Sequence, residues 1–330
     1  MLALLAFAVI DVKPVGYTDA VSKDADDPAV WVNPKNPAKS VVYGTNKAKA
    51  PHGAVVAFDL QGKTLQTVDE INRPNNCDVE YGLGGMDILV ATERLAHRLR
   101  IFRIGPNGHL TEVSGKTKIL QEGEGEASEP MGISLFKRPK DGAIFAIVSP
   151  KTGPAKGYLA EYRLTVRKGK VDAVLVRRFG AYSGQKEIES IAVDDELGFV
   201  YYSDERFGTR KYLADPDAPH ADRELALFNT SGFQADHEGI ALWMRKGGKG
   251  YLVCTDQIVG NSEYHVYERG GKNRPVGIFR LGADETDGID ICATPLGPEF
   301  PQGIFLAMDS GPKRFAMVSW ADITKELKLP

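Results

Sequence analysis

The chain alternates between short apolar runs and polar, turn-rich gaps, and the runs recur. VVYGTNK from Val41, DILVATE from Asp87, AIFAIVS from Ala143, FVYYSDE from Phe199, YLVCTDQ from Tyr251 and IFLAMDS from Ile304 are spaced by 46, 56, 56, 52 and 53 residues. Each is rich in β-branched and aromatic residues and ends in small or polar ones, as a buried strand leaving a core does. A second strand-like run precedes each by 10 to 17 residues: DPAVWV, NCDVEY, MGISLF, ESIAVD, EGIALW and DGIDIC. Turn signals such as NPKNPAKS, GLGG, KRPKDG, DDELG and RKGGKG join most pairs into hairpins. A third strand follows each time, seen in AVVAFDL, RLRIFRI, YLAEYRL, RKYLA, YHVYER and RFAMVSW. Helical periodicity is confined to the last residues, ADITKELKLP. Six antiparallel units of roughly 50 residues, none able to bury its faces alone, predict an all-β, six-bladed β-propeller.

Length and composition fit that reading as one domain over residues 11–330. The 330 residues are 42% hydrophobic and 26% charged, and 41 basic against 44 acidic residues leave a net charge of −3. A disordered chain would be less apolar and more charged. Nucleic acid is not expected as a partner, since it requires a basic footprint. No run approaches the roughly 18 apolar residues of a membrane span, so stable membrane association is not expected either. The opening MLALLAFAVI, residues 1–10, reads as the apolar core of a truncated secretory signal, which predicts a secreted or periplasmic protein; the alternative is an N-terminal strand docked on the domain. The three cysteines are far apart in sequence and form neither a disulfide framework nor a metal motif.

Charge is placed by the repeat. In a propeller the start of the first strand and the end of the second meet at one mouth of the channel. First-strand starts carry Asp26, Asp27, Asn75, Asn76, Asp78, Glu187, Glu189, Asp236, Glu238, Asp284, Glu285 and Asp287. Second-strand ends carry Lys47, Glu93, Arg94, Lys151, Asp204, Glu205, Asp256 and Asp309. Converging carboxylates repel one another unless a cation neutralises them. An all-oxygen donor set suits Ca²⁺, while none of the six histidines is spaced as a zinc-ligand pair. Some of these acids are equally suited to capping hairpins. Lys47, Arg94 and Lys151 stand at equivalent ends of the first three units, and cations facing a carboxylate-held metal make a phosphate site.

The ordered set DDPAVWVNPKNP with TNK, PNNCDVEY, ESIAVDDELG, DHEGIAL, GYLVCTD, YHVYERGG, TDGIDI and LGPEFPQGIFLAMD resembles the calcium-dependent alkaline β-propeller phytases of Bacillus type, across residues 24 to 320. The resemblance implies a 3-phytase-like phosphoric monoester hydrolase. It would release phosphate from phytate, myo-inositol hexakisphosphate, or from calcium phytate, by direct attack of calcium-activated water. It implies several bound Ca²⁺ ions, with Asp27, Glu189, Glu205, Asp236, Glu238 and Asp287 as metal ligands. Lys47, Asn75, Asn76, Arg94 and Lys151 would bind substrate, with Lys47, Arg94, Lys151 and Glu189 carrying catalysis. Three departures stand out: Met131 falls where the family uses a phosphate-binding tyrosine, the acidic loop before TDGID is shorter, leaving Asp284 or Glu285 as replacement ligands, and an N-terminal glutamate has only Asp11 as a match. A monomer is expected. Competing readings are a calcium-dependent propeller lactonase or phosphotriesterase, and a calcium-binding scaffold without catalysis.

Overall fold

The computed structural model describes residues 7–330. Six sheets radiate around a central channel, each a meander whose strands follow chain order from the channel outwards, save the outermost strands of the last two blades. The first blade comprises Ala25–Trp31, Val41–Asn46, Ala54–Phe58 and Thr64–Val68; the third comprises Pro130–Lys137, Ile144–Pro150, Lys156–Arg167 and Lys170–Ala181. The innermost strands of the other blades start at Pro74, Ile191, Asp236 and Ile289. The three strands expected per unit are present, and a fourth, outer strand completes each blade. Apolar side chains from facing blades fill the wedges between them; Val42, Phe58, Leu306 and Phe315, for example, share one cluster between the first and last blades. The helix at Trp320–Glu326 is the one the sequence predicts, and it stacks Trp320 on Trp243 at 5.2 Å.

The ring is closed by the N-terminal segment. Gly16–Tyr17 pairs antiparallel with the Arg314–Ser319 strand and supplies the fourth strand of the sixth blade. Val9–Asp11 adds a fifth, parallel strand to the outer edge of the fifth blade, beside Ile278–Arg280. Val9 and Ile10 thus take the docked-strand arrangement, while residues 1–6 of the expected leader lie outside the described residues.

Two regular devices set the geometry of the mouth. In the first, second, third and fifth blades the inner strand shifts register against its partner, between Ala25/Pro28, Pro74/Cys77, Pro130/Ile133 and His237/Ile240. Such bulges re-aim side chains at a strand end. Below them, acids on or directly after the inner strands latch onto neighbouring blades: Asp290 accepts from the Val30 N–H at 2.8 Å, Asp27 from Cys77 at 2.9 Å, Asp78 from Leu135 at 2.7 Å and Asp195 from Lys137 at 2.9 Å. These acids line a channel cavity of about 210 Å³. A buried ion pair adds another joint: Arg269 grips both oxygens of Asp194 at 2.6 Å, and neither side chain is exposed.

Candidate active site

Two consecutive residues at the end of each second strand play opposite parts. Asn46, Glu93, Asp204, Asp256 and Asp309 turn back and accept backbone N–H groups of the segment that enters their own blade, from Asp24, Asn72, Ser183, Gln234 and Asp284 respectively. These side chains, four carboxylates and one amide, are braces, a structural part that the sequence reading left open for such acids. The following residues, Lys47, Arg94, Lys151 and Glu205, each donate a backbone N–H to the entering segment, at Asp24, Arg73, Glu129 and Glu187. That shared bond puts their side chains on one rung of the mouth.

Counting back two residues from the first regular inner-strand pair of each blade gives the ring that faces them: Asp26, Asn75, Met131, Glu189, Glu238 and Asp287. The structure brings most of this ring together. Lys47 Nζ lies 2.5 Å from Asp26, 3.2 Å from Asp287 and 3.8 Å from Glu189. Asn75 Nδ2 donates to Glu189, and to Asn76 Oδ1 at 3.1 Å. Carboxylate oxygens of Glu189, Glu205 and Glu238 lie within 4.8 Å of one another. Lys186 Nζ closes the group, 2.5 Å from Asp236, 2.9 Å from Glu205 and 3.7 Å from Glu238, and Arg206 Nε reaches Asp236 at 2.5 Å. Arg94 and Lys151 stand on the neighbouring blades in ion pairs, Arg94 with Glu129 at 2.7 Å and Lys151 with Glu187.

Asp27 departs from the expected set. Its carboxylate lies below the mouth on the Cys77 N–H, and Asp26 holds the position equivalent to Glu189. The bulge decides this, because it inverts which of the two adjacent acids faces Lys47. Asp11 pairs with Arg280 at the outer edge of the fifth blade, 2.6 Å away. Asp284 takes the Gly260 N–H at 2.6 Å. Met131 occupies the third blade's place in the ring, buried, its carbonyl accepting from Thr92 Oγ1 at 2.8 Å.

So many acids at one point hold their protons strongly. Burial, then repulsion from Glu189 and Asp287, pushes Asp26 well above the usual carboxylate range against the pull of Lys47. Glu238 is raised by burial and by Glu205, Glu189 and Asp287, and Glu205 is pushed up to about 7 by burial despite Lys186. Asp236 goes the other way: it is partly buried, but hydrogen bonds from Arg206 and Lys186 hold it low. Asp26 Oδ2 and Glu205 Oε1 are buried without any hydrogen-bond partner. Orphaned, mutually repelling carboxylate oxygens, with the unpartnered amide oxygen of Asn75 beside them, fit a hard divalent cation.

Comparison with known proteins meets this geometry. The phytase family model matches residues 4–328. The chain belongs to the phytase family. A 3-phytase of Bacillus subtilis (strain 168) is 34% identical over 325 residues, covering 92% of this chain and 81% of that protein. More distant likenesses show the fold alone. BBS1N, solved in complex with ARL6DN, superposes with a TM-score of 0.50 at 10% identity, over 90% of this chain and 78% of that one. A functionally unknown protein from Desulfotomaculum acetoxidans DSM 771 gives 0.50 at 16% identity, over 81% and 74%.

Asp26 was legible among the first-strand starts, whereas two other participants at the phytase mouth carry a weaker sequence signal. Lys186 lies in a loop before ESIAVD, where no strand pattern points, though its place in KEIE beside two glutamates was a signal. Gln257, whose amide donates to Asp287, follows the brace Asp256 as Lys47 follows Asn46.

Proposed function

We propose that this phytase-family enzyme hydrolyses phytate at the channel mouth with calcium as its cofactor, and that Asp26, Glu189, Glu205, Asp236, Glu238 and Asp287 hold the metal. The observation that carries this reading is the convergence of these carboxylates, with orphaned buried oxygens, beside a row of cations on the same rung. Asp27, in the channel just below, remains within the proposed ligand region. When bound, calcium would neutralise phosphoryl oxygens and make water more acidic.

The chain's own residues have the remaining tasks. Lys47, Arg94 and Lys151 present charged donors to the phosphate oxygens, where charge grows in the transition state. Asn75 and Asn76, locked to each other, offer amide groups whose orientation does not depend on charge. Glu129 and Glu187 hold the Arg94 and Lys151 side chains in place until substrate competes for them. Glu205 and Glu238 must lose their protons before they can hold a cation, which favours neutral to alkaline operation. No serine or histidine nucleophile is required by this arrangement. A monomeric, exported enzyme fits the reading, with the apolar N-terminal run as the observation behind export; no helix among the described residues is long and apolar enough to cross a membrane.

The test is phosphate release from phytate titrated against free calcium, beside a lactone and a phosphotriester. Phosphate release that rises with calcium, with neither other substrate turned over, supports the reading. Calcium-independent hydrolysis, or preference for the lactone or triester, overturns it.

A further inference from the structure

We propose that Asp256, Glu263 and His265 form a second cation site, separate from the mouth, that takes a divalent d-block ion of the zinc class. Asp256 and Glu263 are direct partners on adjacent strands of the fifth blade, and His265 pairs with Cys254 on the same strands. Residues two apart on a strand share a face, so all three side chains rise from the face that packs Cys254 against the fourth blade. One oxygen of each carboxylate and a ring nitrogen of His265 lie within 4.8 Å of one another.

The second observation is the imidazole itself. His265 is only 6% exposed, and its Nε2 has no hydrogen-bond partner. Phe233 covers the ring at 4.2 Å, with its other contact a stacked His237 at 3.9 Å. Burial, and to a lesser degree His237, lowers His265 to about 4, so its nitrogen lone pair is available. Asp256 is held in place by the Gln234 and Ala235 N–H groups at 2.7 and 2.8 Å, which leaves lone pairs free. Glu263 is half-buried and opens the group to solvent. One nitrogen and two carboxylates suit zinc-class ions, whereas calcium takes oxygen donors, and three protein ligands leave a position for water. The sequence offered no paired histidines; the sheet supplies the carboxylates instead.

The position gives the ion a task. Asp256 anchors the backbone of Gln234 and Ala235, immediately before Asp236, so an ion here would stiffen the segment that delivers Asp236 and Glu238 to the mouth. The proposal does not depend on the calcium reading.

The experiment uses the full chain with calcium in excess, titrated with Co²⁺ by d–d absorption and with Zn²⁺ by calorimetry and melting. Expected are one equivalent of tight binding, d–d bands of nitrogen-containing low coordination, and a higher Tm with Zn²⁺. His265→Ala and Glu263→Gln should each weaken binding by about ten-fold or more, while Glu189→Gln leaves it unchanged. Should His265→Ala fail to fold, Glu263→Gln and the ring ¹⁵N shifts of His265 in the wild-type chain decide. Binding unaffected by Glu263→Gln with unmoved His265 shifts, binding lost in Glu189→Gln, or no binding at all overturns the proposal.

Discussion

Replacing Asp26 with asparagine keeps the side chain's shape and removes one charge from the mouth. Asp26 is 1% exposed, and its nearest cation is Lys47 Nζ at 2.5 Å. Lys47 keeps Asp287 and Glu189 within 4 Å, so no buried ammonium is left unpaired. Two unit charges 4 Å apart at an effective dielectric of about 20 interact by about 4 kcal/mol, more for a divalent ion. Much of this is offset by the repulsion Asp26 exerts on Glu189 and Asp287 and by the proton it must shed. The net loss for calcium is then about 1.5 to 3 kcal/mol, or roughly ten- to a hundred-fold in affinity. Without calcium, removing one of several repelling carboxylates should leave stability unchanged or slightly higher. The signature is therefore a split: calcium-free Tm at or above wild type, and a smaller rise on adding calcium. Calorimetric titration with calcium at alkaline pH, beside melting curves with EGTA and with calcium, measures both halves. An unaltered calcium isotherm, or an equal fall in Tm under both conditions, would refute the reasoning.

Glu189→Gln, which touches both halves of the carboxylate group, should lower turnover on phytate by about a hundred-fold at wild-type folded yield, whereas Lys47→Ala should raise KM while calcium stays bound; steady-state kinetics with calcium titration distinguishes them. In calcium-free protein Glu205 keeps its proton to about pH 7, above its unfolded value of 4.5. Its native form thus binds more protons between those limits, and stability should decline as pH rises from 4.5 through about 7. The Tm increase on adding calcium should grow over the same range, and urea titrations across pH would show a flat profile if the reasoning is wrong. Arg269→Met strands the buried Asp194 carboxylate and should cost about 3–5 kcal/mol; denaturant midpoints near wild type would contradict this.

The architecture was legible because its signal repeats: an inner strand, a hairpin and a buried second strand recur in every unit. The outer strands were not, since Thr64–Val68 is largely exposed and Leu110–Glu112 and Ala226–Phe228 span three residues each. Strands at a solvent-facing edge lose the alternation that betrays strands further in. Closure was hidden for another reason, as Gly16 opposite Met317 is a pairing with no local trace. At the mouth, composition located the right stretches but not the parity. Adjacent strand residues face opposite ways, so Glu93 and Arg94, or Asp204 and Glu205, divide into one brace and one site residue. A bulge, which no residue type announces, then selects Asp26 over Asp27.

The way the ring closes also orders events in the life of the chain. Lys47 comes from the first blade and Asp287 from the entry to the last, 240 residues apart, yet both belong to one cluster. During synthesis the first blade emerges early and must wait for the final strands before Gly16–Tyr17 finds its partner. Until then the mouth lacks one of its walls. Any ion that binds only the finished cluster adds its binding free energy to closure, so a metal held at the mouth would act as a latch on assembly, favouring the closed ring over the unfinished one.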